Sequence, residues 1–148
     1  SQLWYFINQR KYMNYIFIEW NDGFSVDNAE IDNQHKKLIR IINDLYESRL
    51  YQNEYADLEH ILDNLYDYID YHFETEEHYM AKCRFEGIDA HIKEHKDFLK
   101  KIITFRNEFE SGNYNISEDV YQFLKEWLVN HILYSDRQYM KALKEHGY

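Results

Sequence analysis

Apolar residues recur at alternating steps of three and four along most of the chain after residue 20. This spacing lines one face of an α-helix, so it predicts four helices that turn an apolar stripe toward a core. The predicted helices cover residues 32–51, 55–83, 89–110 and 117–145, after an irregular lead-in at 21–28. Gly112 is expected to end the third helix, and Ser117 is expected to cap the fourth. Proline is absent, so it interrupts none of these helices.

The loops between these long helices are short, which favours antiparallel packing of neighbours. The predicted fold class is therefore all-α, an up-down-up-down antiparallel four-helix bundle with an N-terminal arm. The bundle is expected to span residues 21–148 and the aromatic arm residues 1–20. The arm is too short and too polar to cross a bilayer and lacks the pattern of a signal peptide. It is expected to pack on the domain or to mediate self-association.

Charge and cysteine content narrow the classes of partner and location. The formal net charge of −10 argues against nucleic acid and against an anionic membrane surface. Cys83 is the one cysteine, which excludes an internal disulfide and favours a reducing compartment. A cytoplasmic location without membrane insertion is therefore expected.

Polar residues that bind metals interrupt the apolar stripes at one level of each helix. His72 and Glu76 are four residues apart, which stacks two side chains on one helical face. The other positions lie at matching distances from the predicted turns, so they reach the same height. One such histidine is usually an ordinary core residue, but burying seven polar groups without a metal would be costly. The predicted metal ligands are His35, His72, Glu76, His91, His95, His131 and Asp136.

The remaining polar candidates are expected to face solvent. His60, His78 and His146 lie off the stripes or near the end of the chain. Glu74 and Glu77 flank Glu76 but point away from the face of His72, so they are interpreted as solvated charges.

The spacing in the fourth helix is irregular, because His131 and Asp136 are five residues apart. On a regular α-helix that spacing separates two side chains by about 140°. Either Asp136 reaches in from the flank of the helix, or a one-residue π-type bulge restores it to the ligand face. The inner stripe resumes as Asp136, Met140 and Leu143, one residue late, which favours the bulge.

The number of ligands predicts two metal ions. Five imidazoles, two bridging carboxylates and one bridging hydroxide or oxide provide eleven of the twelve bonds of two octahedral ions. With His91, His95 and His131 on one ion and His35 and His72 on the other, the open position belongs to the two-histidine ion. Small ligands bind at such positions.

Five segments together form a specific pattern: IEWND at 18–22, IDNQHK at 31–36, HxxxE at 72–76, HxxxH at 91–95 and HxxxxD at 131–136. They resemble the hemerythrin family, and most closely its bacterial branch, over about residues 17–146. The resemblance implies a non-haem di-iron centre that binds dioxygen reversibly. It implies two iron ions bridged by oxide or hydroxide, Glu76 and Asp136. It also assigns Trp127, Leu128 and Ile132 to an oxygen pocket.

The leading hypothesis is a non-enzymatic dioxygen-binding protein that acts as carrier, buffer or sensor. One alternative is a di-iron oxidase or peroxidase-type enzyme, and another is an oxygen-sensing module of a signalling system. Di-iron bundle enzymes usually place a Glu-x-x-His pair on each of two helices. The predicted ligand stripe contains no such pair, which favours binding over catalysis.

Overall fold

The computed structural model describes the backbone of residues 18–50 and 54–148 and the side chains of residues 18–48 and 58–148. Most of the predicted arm, residues 1–17, and the predicted helix end at residue 51 lie outside these ranges. The described elements are a 3-10 turn at Asp22–Phe24, α1 (Ala29–Leu50), α2 (Glu54–Lys82), α3 (Ile88–Glu110), α4 (Ser117–Asn130), a π-helical turn (His131–Ser135) and α5 (Asp136–Glu145). The last three elements follow without a break and form the fourth helix of the bundle.

The four helices pack in the predicted order, and the predicted fold class is confirmed. α1 packs on α2, α2 packs on α3, and the fourth helix contacts α1 and α2. The ring of Phe123 in α4 meets Phe98 and Phe105 of α3 at centroid distances of 5.2 and 5.8 Å. Within the described ranges, every helix is either too short or too polar to cross a membrane.

Two apolar clusters of unequal size fill the bundle. The larger runs along all four helices and includes Leu45, Leu65, Ile102 and Val120, each 0% exposed. The smaller closes the end at which α1 begins and α2 ends, and consists of Val26, Ile31, Met80, Cys83, Tyr139 and Leu143. The predicted ligand positions lie where the two clusters meet, so apolar side chains flank them toward both ends of the bundle.

Capping explains where α1 begins. The Asn28 side chain accepts a hydrogen bond from the backbone N–H of Ile31 at 3.1 Å, as an N-cap residue does. The helix therefore starts at Ala29, ahead of the predicted residue 32.

The two signals between α3 and α4 had different outcomes. Gly112 has a φ of 98°, and the N–H of Asn113 donates to the carbonyl of Glu108 at 3.0 Å, so the predicted stop of α3 is confirmed. The predicted cap at Ser117 is wrong. Ile116 occupies the N-cap position without a side-chain hydrogen bond, and Ser117 is the first residue of the helix.

The chain enters the bundle along α1. The Ile18 N–H donates to Asn43 Oδ1 at 2.9 Å, and Asn43 Nδ2 donates to the Ile18 carbonyl at 2.8 Å. The ammonium group of Lys36 lies 5.0 Å from the ring centroid of Trp20. These contacts determine where the predicted arm meets the bundle.

Candidate metal centre

The seven side chains predicted as metal ligands converge at one level of the bundle, and together they are called the cage. α1 contributes one, α2 and α3 contribute two each, and the fourth helix contributes two. Their exposed fractions range from 0% to 4%, so the cage is buried as deeply as the apolar core. Its members are His35, His72, Glu76, His91, His95, His131 and Asp136.

Glu76 lies at the centre of the cage and turns its two oxygens toward different histidines. Its Oε1 is 3.1 Å from His35 Nε2 and 2.9 Å from His72 Nε2. Its Oε2 is 3.2 Å from His91 Nε2 and 3.0 Å from His95 Nε2. One carboxylate therefore faces two separate groups of imidazoles.

Asp136 faces the same two groups from the opposite helix. Its Oδ2 is 3.0 Å from His35 Nε2, while its Oδ1 is 2.9 Å from both His91 Nε2 and His131 Nε2. Ligand atoms within 4.8 Å of one another form two sets: Glu76, His91, His95 and His131, and His35, His72, Glu76 and Asp136. This division matches the three-histidine and two-histidine groups expected from the sequence.

A π-helical turn brings Asp136 onto the cage face. The Asp136 N–H donates to the carbonyl of His131, five residues earlier, where an α-helix would bond four residues back. Of the two interpretations left open by the spacing, the structure has the π bulge. Beyond it the buried stripe continues through Tyr139 and Leu143. Met140, predicted on this stripe, is half-buried and packs against the smaller cluster.

Several cage atoms lack hydrogen bonds and are suited to hold a cation. Within the described residues, His72 Nε2, His131 Nε2 and both oxygens of Asp136 are buried and make no well-aligned hydrogen bond, although other cage groups lie 2.9–3.0 Å away. Buried polar atoms without a well-aligned hydrogen bond are rare in native proteins. Bonds of about 2.1 Å to an octahedral ion hold adjacent ligands about 3 Å apart, close to the spacing between histidine nitrogens and carboxylate oxygens here. The residues therefore fit a pair of metal ions.

The two carboxylates also make the cage favourable for positive charge. Burial lowers the pKa of both His35 and His91, but contacts with Asp136 and Glu76 outweigh burial and raise each pKa to about 9. Burial raises the pKa of Glu76, yet the surrounding histidines hold it well below its ordinary value. Without a metal, His35 and His91 therefore favour their protonated forms, whereas burial lowers the pKa of His72. A cation bound in the cage would replace these protons.

The outward nitrogens of two cage histidines are held by residues that the sequence reasoning missed. His72 Nδ1 donates to Gln34 Oε1 at 2.7 Å, and His131 Nδ1 donates to Glu94 Oε2 at 2.8 Å. The prediction that Glu77 is a solvated charge is also wrong. It is 31% exposed, and its Oε1 lies 3.5 Å from His95 Nδ1.

A shared sequence feature could have identified these three partners. Each adjoins a predicted ligand: Gln34 precedes His35, Glu77 follows Glu76, and Glu94 precedes His95. A step of one residue turns a side chain about 100° around its helix, away from the cage and toward a neighbouring helix. Polar neighbours of ligands are therefore candidates for supporting ligands on the next helix.

Tyr139 makes a polar contact with a cage carboxylate instead of a cage histidine. Its hydroxyl donates to Glu76 Oε1 at 3.2 Å, and the side chain is 0% exposed. Burial and the nearby carboxylates raise its pKa well above the ordinary value, so the phenol remains a neutral donor. Tyr139 was not among the predicted site residues, because its place on the inner face depends on the π turn.

The predicted oxygen-pocket residues lie around His131. Leu128 and Ile132 are 0% exposed, and Trp127 is half-buried. The Trp127 ring stacks on the His131 ring with centroids 4.4 Å apart and planes inclined by 15°. Trp127 therefore packs on the three-histidine group, and its role in an oxygen pocket stays a prediction. Three histidines predicted to face solvent are exposed: His60, His78 and His146.

Comparisons with known proteins find relatives in both sequence and structure. A family model described as hemerythrin HHE cation binding domain matches residues 26–143. A bacteriohemerythrin of Clostridium acetobutylicum is 32% identical over 125 residues, which cover 82% of this chain and 97% of that protein. A hemerythrin-like protein of Naegleria gruberi is 33% identical over 124 residues, covering 84% and 92% of the two chains. A crystal structure of wild-type hemerythrin superposes with a TM-score of 0.78 at 29% identity, covering 86% of this chain and 98% of that one.

Proposed function

The chain belongs to the hemerythrin family, and from that premise we propose that it binds dioxygen reversibly at a centre of two non-haem iron ions. The observation that supports this most strongly is the pair of buried carboxylates. Glu76 and Asp136 each direct one oxygen to the three-histidine group and the other to the two-histidine group. Carboxylates so placed would bridge two ions, which a further oxide or hydroxide would also join.

The cage would give the two ions unequal numbers of histidine ligands. Three imidazoles would hold one ion, whereas His35 and His72 would hold the other. The two-histidine ion would have one protein ligand fewer, which leaves room for a small ligand. A pair of ferrous ions held by these residues would supply the two electrons for reversible binding of dioxygen.

The surroundings of the cage favour binding over catalysis. The Phe73 ring stacks on His95 with centroids 3.7 Å apart, and buried Leu128 and Ile132 add apolar surface on the same side. These side chains exclude water, so they would limit proton entry and the loss of reducing equivalents. Carrier, buffer and sensor roles would all use this dry, reversible chemistry.

Tyr139 is the observation that favours a second candidate, a di-iron oxidase or peroxidase. A buried phenol that bonds to a bridging carboxylate could supply a proton or an electron during turnover. Its hydrogen bond to Glu76 already gives it a role in orienting that carboxylate. Reversible binding therefore remains the proposed function.

Anaerobic reconstitution with ferrous iron tests the proposal directly. Elemental analysis should give about two iron ions per chain, as expected from two ligand groups that share two carboxylates. The optical spectrum should change under oxygen and return under argon over repeated cycles, while protein loaded with zinc should show no change. About one iron per chain, or zinc in both positions of native protein, would contradict the two-iron assignment. Irreversible oxidation with product formation would establish the enzyme instead.

Location and further partners remain proposals. Cys83 is buried and makes no disulfide, which is compatible with the reducing cytoplasm that we propose as its location. Cell fractionation would test it. The acidic net charge leads us to expect no binding to nucleic acid, which a mobility-shift assay would check.

A further inference from the structure

Each of the first three helices provides a polar side chain to a cage histidine on the next helix. The acceptor is an amide in one pair and a carboxylate in the other two. In chain order, the pairs are Gln34 with His72 at 2.7 Å, Glu77 with His95 at 3.5 Å and Glu94 with His131 at 2.8 Å. Both carboxylates therefore serve the three-histidine group, and the amide serves the two-histidine group.

The three contacts differ in strength as well as in charge. His95 Nδ1 makes no hydrogen bond within the described residues, so the Glu77 contact is electrostatic only. Glu94 accepts a full hydrogen bond from His131 Nδ1. His35 Nδ1, in the two-histidine group, has no hydrogen-bond partner within the same residues. The three-histidine group thus has the charged hydrogen-bond acceptor, and the two-histidine group has a neutral one.

A charged acceptor changes how an imidazole binds a cation. Nε2 faces the cage and must offer its lone pair to a metal, so Nδ1 carries the proton. A carboxylate that accepts this proton polarises the ring, fixes its orientation and increases the basicity of Nε2. A neutral amide fixes the orientation in the same way but donates less electron density.

We propose that Glu94 is a positioning residue that makes the three-histidine site the tighter of two metal sites, while Gln34 leaves the two-histidine site the weaker. The difference would anchor one ion firmly and leave the other more electron-poor, at the position proposed to receive dioxygen. This assignment rests on the two-metal centre of the proposed function, but it does not require that dioxygen bind.

The position of Glu94 makes the idea testable without disturbing the core. Its side chain is 48% exposed, at a surface depression that also includes Glu126. Glu94→Gln preserves size and a hydrogen-bond acceptor but removes the charge, so it gives His131 the kind of partner that His72 already has. Glu126→Gln removes the same charge from the same depression, and Glu126 is exposed on α4. It is the matched control.

Release of cobalt(II) to a chelator under anaerobic conditions measures the two sites separately. The parent protein should bind two ions and release them in two phases of equal amplitude. Glu94→Gln should accelerate the slow phase about 10-fold to 100-fold, the usual effect of losing such a partner on metal affinity. The fast phase should be unchanged, and Glu126→Gln should change neither phase. The absorption bands of the slowly released cobalt should also shift in Glu94→Gln, which a purely structural role would not cause.

Several outcomes would overturn the proposal. They are a single release rate for both ions in the parent, no effect of Glu94→Gln, an equal effect on both phases, and an equal effect of the Glu126 control. If one of these outcomes is observed in protein that binds two cobalt ions per chain, the proposed function still stands. Fewer than two cobalt ions per chain would count against the two-metal centre itself. If cobalt is released in two phases but the iron form does not bind and release oxygen repeatedly, only the proposed function is contradicted.

Discussion

The larger apolar cluster and the cage lie on the same four helices and are equally buried. Only the cluster, however, consists of side chains that need no polar partner. Leu45, Leu65 and Ile102 are 0% exposed and need no partner beyond their neighbours. His72 and Asp136 are also 0% exposed, but they present polar atoms without hydrogen bonds. The comparison indicates that the apolar layers stabilise the bundle, whereas the cage brings together polar atoms that a bound cation would satisfy. Substitutions in the cage should therefore lower the iron content, and substitutions in the larger cluster should lower the free energy of unfolding.

The largest effect is expected from removing the central carboxylate of the cage. Glu76→Ala takes one oxygen from each histidine group and leaves metal charge uncompensated, so iron should fall from about two per chain to well below one. Elemental analysis after reconstitution measures this. His60→Ala and Glu74→Ala change exposed residues of the same helix and should retain the full content. Equal iron in Glu76→Ala and its controls would show that Glu76 is not a ligand.

A core substitution should show the reverse pattern. Leu65→Ala removes a fully buried side chain from the larger cluster, so the free energy of unfolding should fall by about 2–5 kcal/mol. Iron per folded chain should not change, because Leu65 lies outside the cage. Ile103→Ala, at a 42% exposed position, should shift the same quantity by about 0.5 kcal/mol or less. Loss of iron from folded Leu65→Ala would mean that the two regions are not separable.

The boundary between the regions can be tested at Leu128. Leu128→Asn introduces a polar group of similar volume at a 0% exposed position beside the cage, which should admit water. Autoxidation of the oxygenated protein should become about tenfold faster, the effect of about 1.4 kcal/mol on the barrier. The iron count should stay the same. The matched control is Val129→Asn on the exposed face, and a half-life like that of the parent in Leu128→Asn would show that Leu128 only fills the core.

The smallest effect on the centre is expected from the N-terminal arm. Deleting residues 1–12 removes Trp4, Tyr5, Phe6 and Tyr12 but leaves Ile18, whose backbone hydrogen bonds to Asn43 hold the chain on α1. Iron content and oxygen binding should remain those of the full chain. Solubility or oligomeric state, followed by size-exclusion chromatography, should change, because the arm is predicted from its aromatic residues to be a packing or association element. Loss of the di-iron spectrum at full helical content would contradict this separation.

Features that depend on one helix alone were predictable from the sequence. The stripes and the four-residue spacing of His72 and Glu76 follow from the period of an α-helix, and both residues lie where that period places them. Gly112 acts through its own backbone conformation, so its stop signal was also readable. The Ser117 cap failed because the exact first residue of a helix depends on how the preceding loop packs.

The sequence by itself determined the bundle and the residues that form the cage, because helical periodicity is local and repeats along each element. Only the tertiary structure decided between a flank approach and a π turn for Asp136, and it placed Tyr139 on the inner face. It also decided that Glu77 and Glu94 face histidines of the neighbouring helix. Such contacts depend on the rotation and separation of two packed helices, which the periodicity of either helix alone does not encode.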